Sequence, residues 1–164
     1  YQTALNASSF LVILGLMVSG VILSRHVFTF LSIRGGLSLG RTLHHICAYW
    51  AFVLLSMHLG FHGTMIAGML RKALKLSTCS RLRAIILHIL SILIAAFGIY
   101  AFLKHQVGDY MLNSIEFAFF DYEQPPVQFF DEYIAMMGLF ACGSHYLARM
   151  LRRIPEKKIM KTNA

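Results

Sequence analysis

The chain has 164 residues, of which 57% are hydrophobic and 13% are charged, and its mean hydropathy is +0.64. So much apolar surface cannot be buried in a soluble domain of this size, which excludes an ordinary soluble enzyme and indicates one membrane domain over residues 1–164. The formal net charge is +8, but the cations flank apolar stretches and form no separate basic face. This pattern argues against nucleic acid as a partner and favours membrane lipid with anionic headgroups.

Four apolar stretches are long enough, or nearly so, to cross a hydrocarbon core of roughly 30 Å as helices. They predict transmembrane helices at about residues 5–25, 42–70, 84–103 and 129–150. The predicted fold class is therefore all-α, an integral membrane four-helix bundle. The second stretch is longer than a span requires, so its helix is expected to tilt or to project from the bilayer. The outer loop, about residues 104–128, is expected to hold a short interfacial helix and then a turn at Pro125–Pro126.

The basic residues predict the orientation of the bundle. Eleven of them lie in the loop between the second and third stretches and in the C-terminal tail: Arg71, Lys72, Lys75, Arg81, Arg83, Arg149, Arg152, Arg153, Lys157, Lys158 and Lys161. The other two loops together hold three arginines and one lysine. By the positive-inside rule, both termini are expected in the cytoplasm and two loops outside.

Four histidines lie between Arg41 and Arg71, a stretch without any fixed charge. His44 and His58 are fourteen residues apart, which in an α-helix corresponds to about 21 Å of rise and to directions about 40° apart on one face. Ionisable side chains at such depths are costly and usually serve a cofactor or an ion path. A membrane haem takes two axial imidazoles from facing helices. The spacing therefore predicts that this helix holds two stacked haems.

On the predicted topology the eight histidines form two layers. The outer layer contains His26, His44, His45 and His105, and the cytoplasmic layer contains His58, His62, His88 and His145. His26 follows the first helix and is a candidate partner for His44. His58 is preferred to His62, which could replace it as a ligand or contact a propionate or a quinone. His88 competes with His145 at the cytoplasmic depth. His45 lies about 100° from His44 and is expected to face headgroups or a loop.

Motifs for bond-making chemistry are missing from the sequence. It has no nucleophile–base constellation, Walker loop or Rossmann glycine pattern. Its three cysteines form neither CxxC nor CxxCH, so covalent attachment of a c-type haem is not indicated. An electron conduit fits these features, and quinone oxidation or reduction would fit a haem near either membrane face.

Nearly the whole chain resembles the small four-helix bacterial cytochrome-b-like membrane proteins linked to flavinylated extracytosolic electron carriers. The resemblance is carried by SGVILSRHVFTFL, RTLHHICAYWAFVLLSMHLGFHG, YAFLKH, FAFFDYEQPPVQFFDEYIAMMGLF and SHYLARM. More distantly, the chain is similar to the haem-bearing subunits of formate dehydrogenases and nickel–iron hydrogenases, which also use a fourteen-residue histidine pair on one helix.

The resemblance implies a b-type cytochrome, with two haem b groups, that passes electrons between the quinone pool and an extracytosolic redox protein carrying flavin, iron–sulfur or haem. It also implies a multi-pass protein of the bacterial inner membrane. The iron ligands it implies are His26, His44, His58 and His145, and His62 belongs to the same cofactor-binding motif. Where some relatives have a histidine early in the fourth helix, this chain has Phe129, Phe130 and Tyr133. Without His26 as a ligand, the chain would hold only one haem.

The sequence also fits two other functions. A histidine-lined metal or proton transporter would need carboxylate partners, and the predicted spans have none in their middles. A membrane anchor subunit would bind a soluble redox enzyme through the acidic, aromatic outer loop, and this role is compatible with electron transfer.

Overall fold

The computed structural model describes residues 2–24, 37–73, 75, 81–115 and 124–162, without the side chains of residues 70, 83, 84 and 152–162. Almost all of these residues are helical, and none of them forms a strand. The helices in chain order are α1 (Gln2–Leu23), α2 (Leu37–Phe61), α3 (Gly63–Ala73), α4 (Arg81–Lys104), α5 (Val107–Met111) and α6 (Pro126–Thr162). The predicted all-α class is confirmed.

Four of the described segments are long and apolar enough to cross a membrane: Gln2–Leu23, Leu37–Phe61, Ile85–Lys104 and Pro126–Leu151. In α1 the large apolar side chains lie on the surface, with Phe10 and Met17 about two-thirds exposed (66% and 65%), whereas its buried residues are Ser9 and Ser19. This arrangement suits lipid as the solvent, because lipid tails are as apolar as leucine and small residues let helices approach closely. The chain is a multi-pass membrane protein.

The long second helix expected over residues 42–70 is divided in two. α2 ends at Phe61, His62 lies in a turn, and α3 begins at Gly63. The backbone chain of hydrogen bonds continues through the turn, since the His62 amide donates to the His58 carbonyl at 3.3 Å and the Ile66 amide donates to the His62 carbonyl at 3.0 Å. Glycine is a poor helix former, which favours a break at this point. The excess length therefore forms a separate helix.

The outer loop contains the expected short helix, α5, and part of the loop, residues 116–123, lies outside the described residues. α6 begins at Pro126 itself, three residues before the predicted start of the fourth span at about residue 129. Proline is well tolerated at the first helical position, where its missing amide proton would have no helical partner. α6 then continues to Thr162, well beyond the predicted end at residue 150.

The chain forms two compact units, and the first comprises residues 1–55 and 102–129. Within it, α1 runs antiparallel to α2. A Cβ added at Gly15 would lie 2.8 Å from Sγ of Cys47, and one added at Gly40 would lie 2.9 Å from Cγ2 of Ile22. Trp50 Nε1 on α2 donates a hydrogen bond of 3.2 Å to the carbonyl of Met111 and so attaches α5 to α2.

The second unit comprises residues 56–101 and 130–164. Its helices meet at small residues, as is usual in membranes. A Cβ at Gly60 would overlap the Ala141 carbonyl and the Ser144 hydroxyl, and a Cβ at Gly98 would lie 2.5 Å from the Ala135 carbonyl oxygen. Thus α6 packs closely on both the end of α2 and α4.

Candidate functional site

Each unit contains one of the two predicted histidine layers. The first unit has His44 and His45 on α2 and His105 after α4. The second unit has His58, His62, His88 and His145. α2 carries His44 and His58 fourteen residues apart, and the boundary between the units falls after Leu55, between these two histidines.

His44 is exposed, and among the described residues it makes a polar contact to α1. Its Nδ1 lies 3.1 Å from Oγ of Ser19, and Ser19 is fully buried (0% exposed). The Ser19 hydroxyl also donates to the Leu16 carbonyl at 3.0 Å. The sequence alone did not single out Ser19 as a site residue, although a serine within the apolar stretch at residues 10–23 was a visible signal.

The predicted partner of His44 is His26, which lies outside the described residues, so their pairing stays a prediction. The described part of the neighbourhood leaves space on α1. A Cβ added at Gly20, the residue after Ser19, would meet nothing within 4 Å.

His45 was expected to face headgroups or a loop, and it faces the short helix α5 of the outer loop. Both of its ring nitrogens are buried and have no hydrogen-bond partner among the described residues. Its ring lies edge-on to Tyr49 at 5.1 Å and to Tyr110 at 5.2 Å between ring centroids, and the two tyrosines stack at 5.1 Å with 9° between their planes. The reason is that α5 folds back onto α2 and covers His45 with Tyr110.

This environment predicts the effect of replacing His45. A buried polar group without a hydrogen bond costs about 1–3 kcal/mol, so His45→Phe should raise the free energy of unfolding by about 1 kcal/mol or more. Thermal unfolding in detergent measures this change, with His105→Phe as the comparison. A large loss of stability in His45→Phe would contradict the expectation.

In the second unit, His58 and His62 lie side by side with ring centroids 4.8 Å apart and ring planes inclined by 53°. Both are partly buried. His145 on α6 packs on the residue after His62, since a Cβ added at Gly63 would lie 3.1 Å from Nδ1 of His145. The structure thus brings His145 next to the turn that holds His62, and glycine at position 63 permits this approach.

His88 occupies a different place in the second unit. It is exposed, and its ring lies edge-on to Tyr146 at 6.2 Å between centroids. It lines an apolar groove of about 390 Å³ between α4 and α6 with Ser91, Ala95, Leu139, Cys142 and Tyr146. His145 and Tyr146 are adjacent in sequence, so the candidate ligand His145 packs on Gly63 while its neighbour faces His88.

A second groove of about 470 Å³ lies along another part of the α4–α6 contact. Apolar side chains line it almost entirely, among them Leu59, Phe97 and Ile134, and Asp131 supplies its one acidic group. Clefts of this size accommodate small organic ligands.

The sequence alone did not indicate Glu132 as a candidate group either. It lies in the second turn of α6 and is only 1% exposed. Glu132, Ala135 and Met136 are all buried, and their spacing of three and four residues places them on one face of α6. With a helix that begins at Pro126, the sequence alone would have predicted this buried face.

Among the described residues, no three His, Cys, Asp or Glu side chains converge on a point where they could hold a metal ion. In comparisons with known proteins, no family model, curated protein or solved structure matches this chain.

Proposed function

We propose that this protein is a di-haem b-type cytochrome subunit that passes electrons between the membrane quinone pool and an extracytosolic redox protein. The observation that carries the proposal is the pair His44 and His58, which lie fourteen residues apart on one membrane-length helix. His44 belongs to the first compact unit and His58 to the second. Haem b, when bound, supplies reversible one-electron chemistry. The imidazole nitrogens of the protein would hold the iron in an apolar environment.

The residues of the first unit fit a haem through His44. Its imidazole is exposed on the membrane-length helix α2, and a Cβ added at Gly20, the residue after its contact Ser19, would meet none of the described atoms within 4 Å. His26 is the proposed second ligand. These two histidines would bind the outer haem. His44 lies near the start of α2, and the basic loop at residues 71–83 comes after the other end of this span.

The residues of the second unit fit a haem through His58 and His145. Both are partly buried, and both lie next to the turn at His62. His62 is the alternative ligand to His58, because their rings are in contact. His88 is a weaker candidate than His145, because it faces Tyr146 in a groove of its own.

The orientation and the partners follow from charge and from the family resemblance. Eleven basic residues lie in the loop between the second and third spans and in the C-terminal tail, and they support cytoplasmic termini in a bacterial inner membrane. The grooves at His88 and at Asp131 open on apolar surface and are the candidate positions for a quinone ring. The extracytosolic partner, a flavin, iron–sulfur or cytochrome protein, would dock at the outer loop.

Spectroscopy of the protein purified after expression in a haem-sufficient host tests the proposal. The difference spectrum of the dithionite-reduced and oxidised protein should show the α band of a b-type haem. The pyridine haemochrome assay should give about two haems per chain. A folded protein without haem would contradict the proposal. One haem per chain would mean that His26 and His44 do not bind a haem together.

The second candidate function is proton transfer across the membrane, and Glu132 is the observation that favours it. Ionisable groups buried in spans commonly mark proton paths, and this carboxyl group is buried in a membrane-length segment. Liposomes holding haem-free protein and a pH-sensitive dye would show a proton flux that Glu132→Gln abolishes. A flux equal to that of empty liposomes would exclude this function.

A further inference from the structure

Ser19 places a fully buried hydroxyl in an apolar membrane helix, and this hydroxyl makes two polar contacts. Its Oγ lies 3.0 Å from the carbonyl oxygen of Leu16, to which it donates, and 3.1 Å from Nδ1 of His44. It is 0% exposed. A serine in a helix can donate its hydroxyl proton to a carbonyl of the preceding turn. The contact of Ser19 to His44 is therefore a second hydrogen bond of the same oxygen.

The protons of this group can be counted. A serine hydroxyl has one proton and two acceptor lone pairs. When this proton goes to the Leu16 carbonyl, the oxygen accepts from Nδ1 of His44, and Nδ1 then carries the imidazole proton. In a neutral imidazole the other nitrogen, Nε2, then holds the free lone pair.

We infer that Ser19 is a positioning residue that holds His44 in the tautomer able to bind iron through Nε2. This inference rests on the proposed role of His44 as a haem ligand. A histidine ligand normally donates its other ring N–H to an acceptor, which orients the ring and makes the ligand more basic. A more basic ligand stabilises ferric iron relative to ferrous iron, so Ser19 lowers the midpoint potential of the haem that His44 binds.

The test compares Ser19→Ala with Ser9→Ala. Ser9 lies on the same helix, is also buried, and its hydroxyl has no hydrogen-bond partner among the described residues, so it is a matched control. In Ser19→Ala we expect a midpoint potential above that of the wild type and haem affinity lower by roughly 10–100-fold. Only the haem that is lost in His44→Ala should change, and Ser9→Ala should match the wild type.

Nitrogen-15 NMR of histidine-labelled protein prepared without haem gives a second readout that does not depend on the cofactor. It should show His44 protonated at Nδ1 in the wild type and a mixture of tautomers in Ser19→Ala. If Ser19→Ala does not fold, Ser19→Cys replaces it, because the thiol is a weaker acceptor of similar size and should shift the potential in the same direction.

The outcomes separate this inference from the proposed function. A wild-type protein that binds no haem contradicts the proposed function, whereas the NMR result still decides the tautomer. A haem-loaded protein whose Ser19→Ala variant keeps the wild-type potential and affinity would overturn the role of Ser19 alone. An equal shift of both haem potentials would also overturn it, because that result indicates a general structural effect.

Discussion

Replacing His44 or His58 with alanine should reduce the haem content from about two per chain to about one, and replacing both should abolish it. In the proposed function, each substitution removes one of the two imidazoles that would hold one haem, and a haem that has lost one of its ligands should bind weakly. His145→Ala should have the same effect as His58→Ala, because both residues are proposed to hold the haem of the second unit. The pyridine haemochrome assay on each purified variant measures the loss.

The structure supplies the controls for this series. His88→Ala should keep both haems, since His88 faces Tyr146 in a separate groove. His62→Ala decides between the neighbouring rings: full haem content confirms His58 as the ligand, whereas loss of one haem in His62→Ala but not in His58→Ala assigns the bond to His62. Unchanged haem content in all of the variants at positions 44, 58, 62 and 145 would contradict the ligand assignment as a whole.

Replacing Gly60 with alanine should destabilise the protein strongly. A Cβ at this position would overlap the backbone carbonyl of Ala141 and the hydroxyl of Ser144, and the same hydroxyl donates a 2.9 Å hydrogen bond to the Met57 carbonyl. Backbone atoms cannot move aside as a flexible side chain can. Overpacking of this kind costs about 3 kcal/mol, which for a chain of this length lowers the melting temperature by on the order of 10 °C.

Gly68→Ala is the matched control for Gly60→Ala. Gly68 is an exposed helical glycine of α3, and a Cβ there would meet nothing within 4 Å. Because alanine is the better helix former by about 1 kcal/mol, this variant should be as stable as the wild type or slightly more stable. A Gly60→Ala protein that melts at the wild-type temperature would show that α2 and α6 do not pack closely at Gly60.

The structure also changes how the outer loop can be tested as a docking site. Tyr110 and Met111 of α5 contact Tyr49 and Trp50 of α2, so a deletion through α5 would disturb the first unit as well as a docking surface. Asp109 is exposed on α5. Charge reversal at this residue is therefore the more selective change for measurements of partner binding.

The sequence by itself determined the fold class, the approximate spans and the distribution of the histidines along the chain. Apolar stretches of this length can satisfy their backbone hydrogen bonds in lipid only as helices, so composition and length sufficed. The fourteen-residue spacing of His44 and His58 needed only the period of the helix. The break at His62 was not predicted, because the hydropathy of the stretch continues through it and only a glycine marks the position.

Only the tertiary structure decided which side chains meet. It placed Ser19 against His44, covered His45 with Tyr110, packed His145 on Gly63 and separated His88 from them. It also showed that Glu132 is buried, because α6 begins at Pro126 and turns that residue inward. These contacts join residues far apart in the chain, and their geometry depends on close packing at small residues such as Gly15 and Gly60, which no periodicity along one helix encodes.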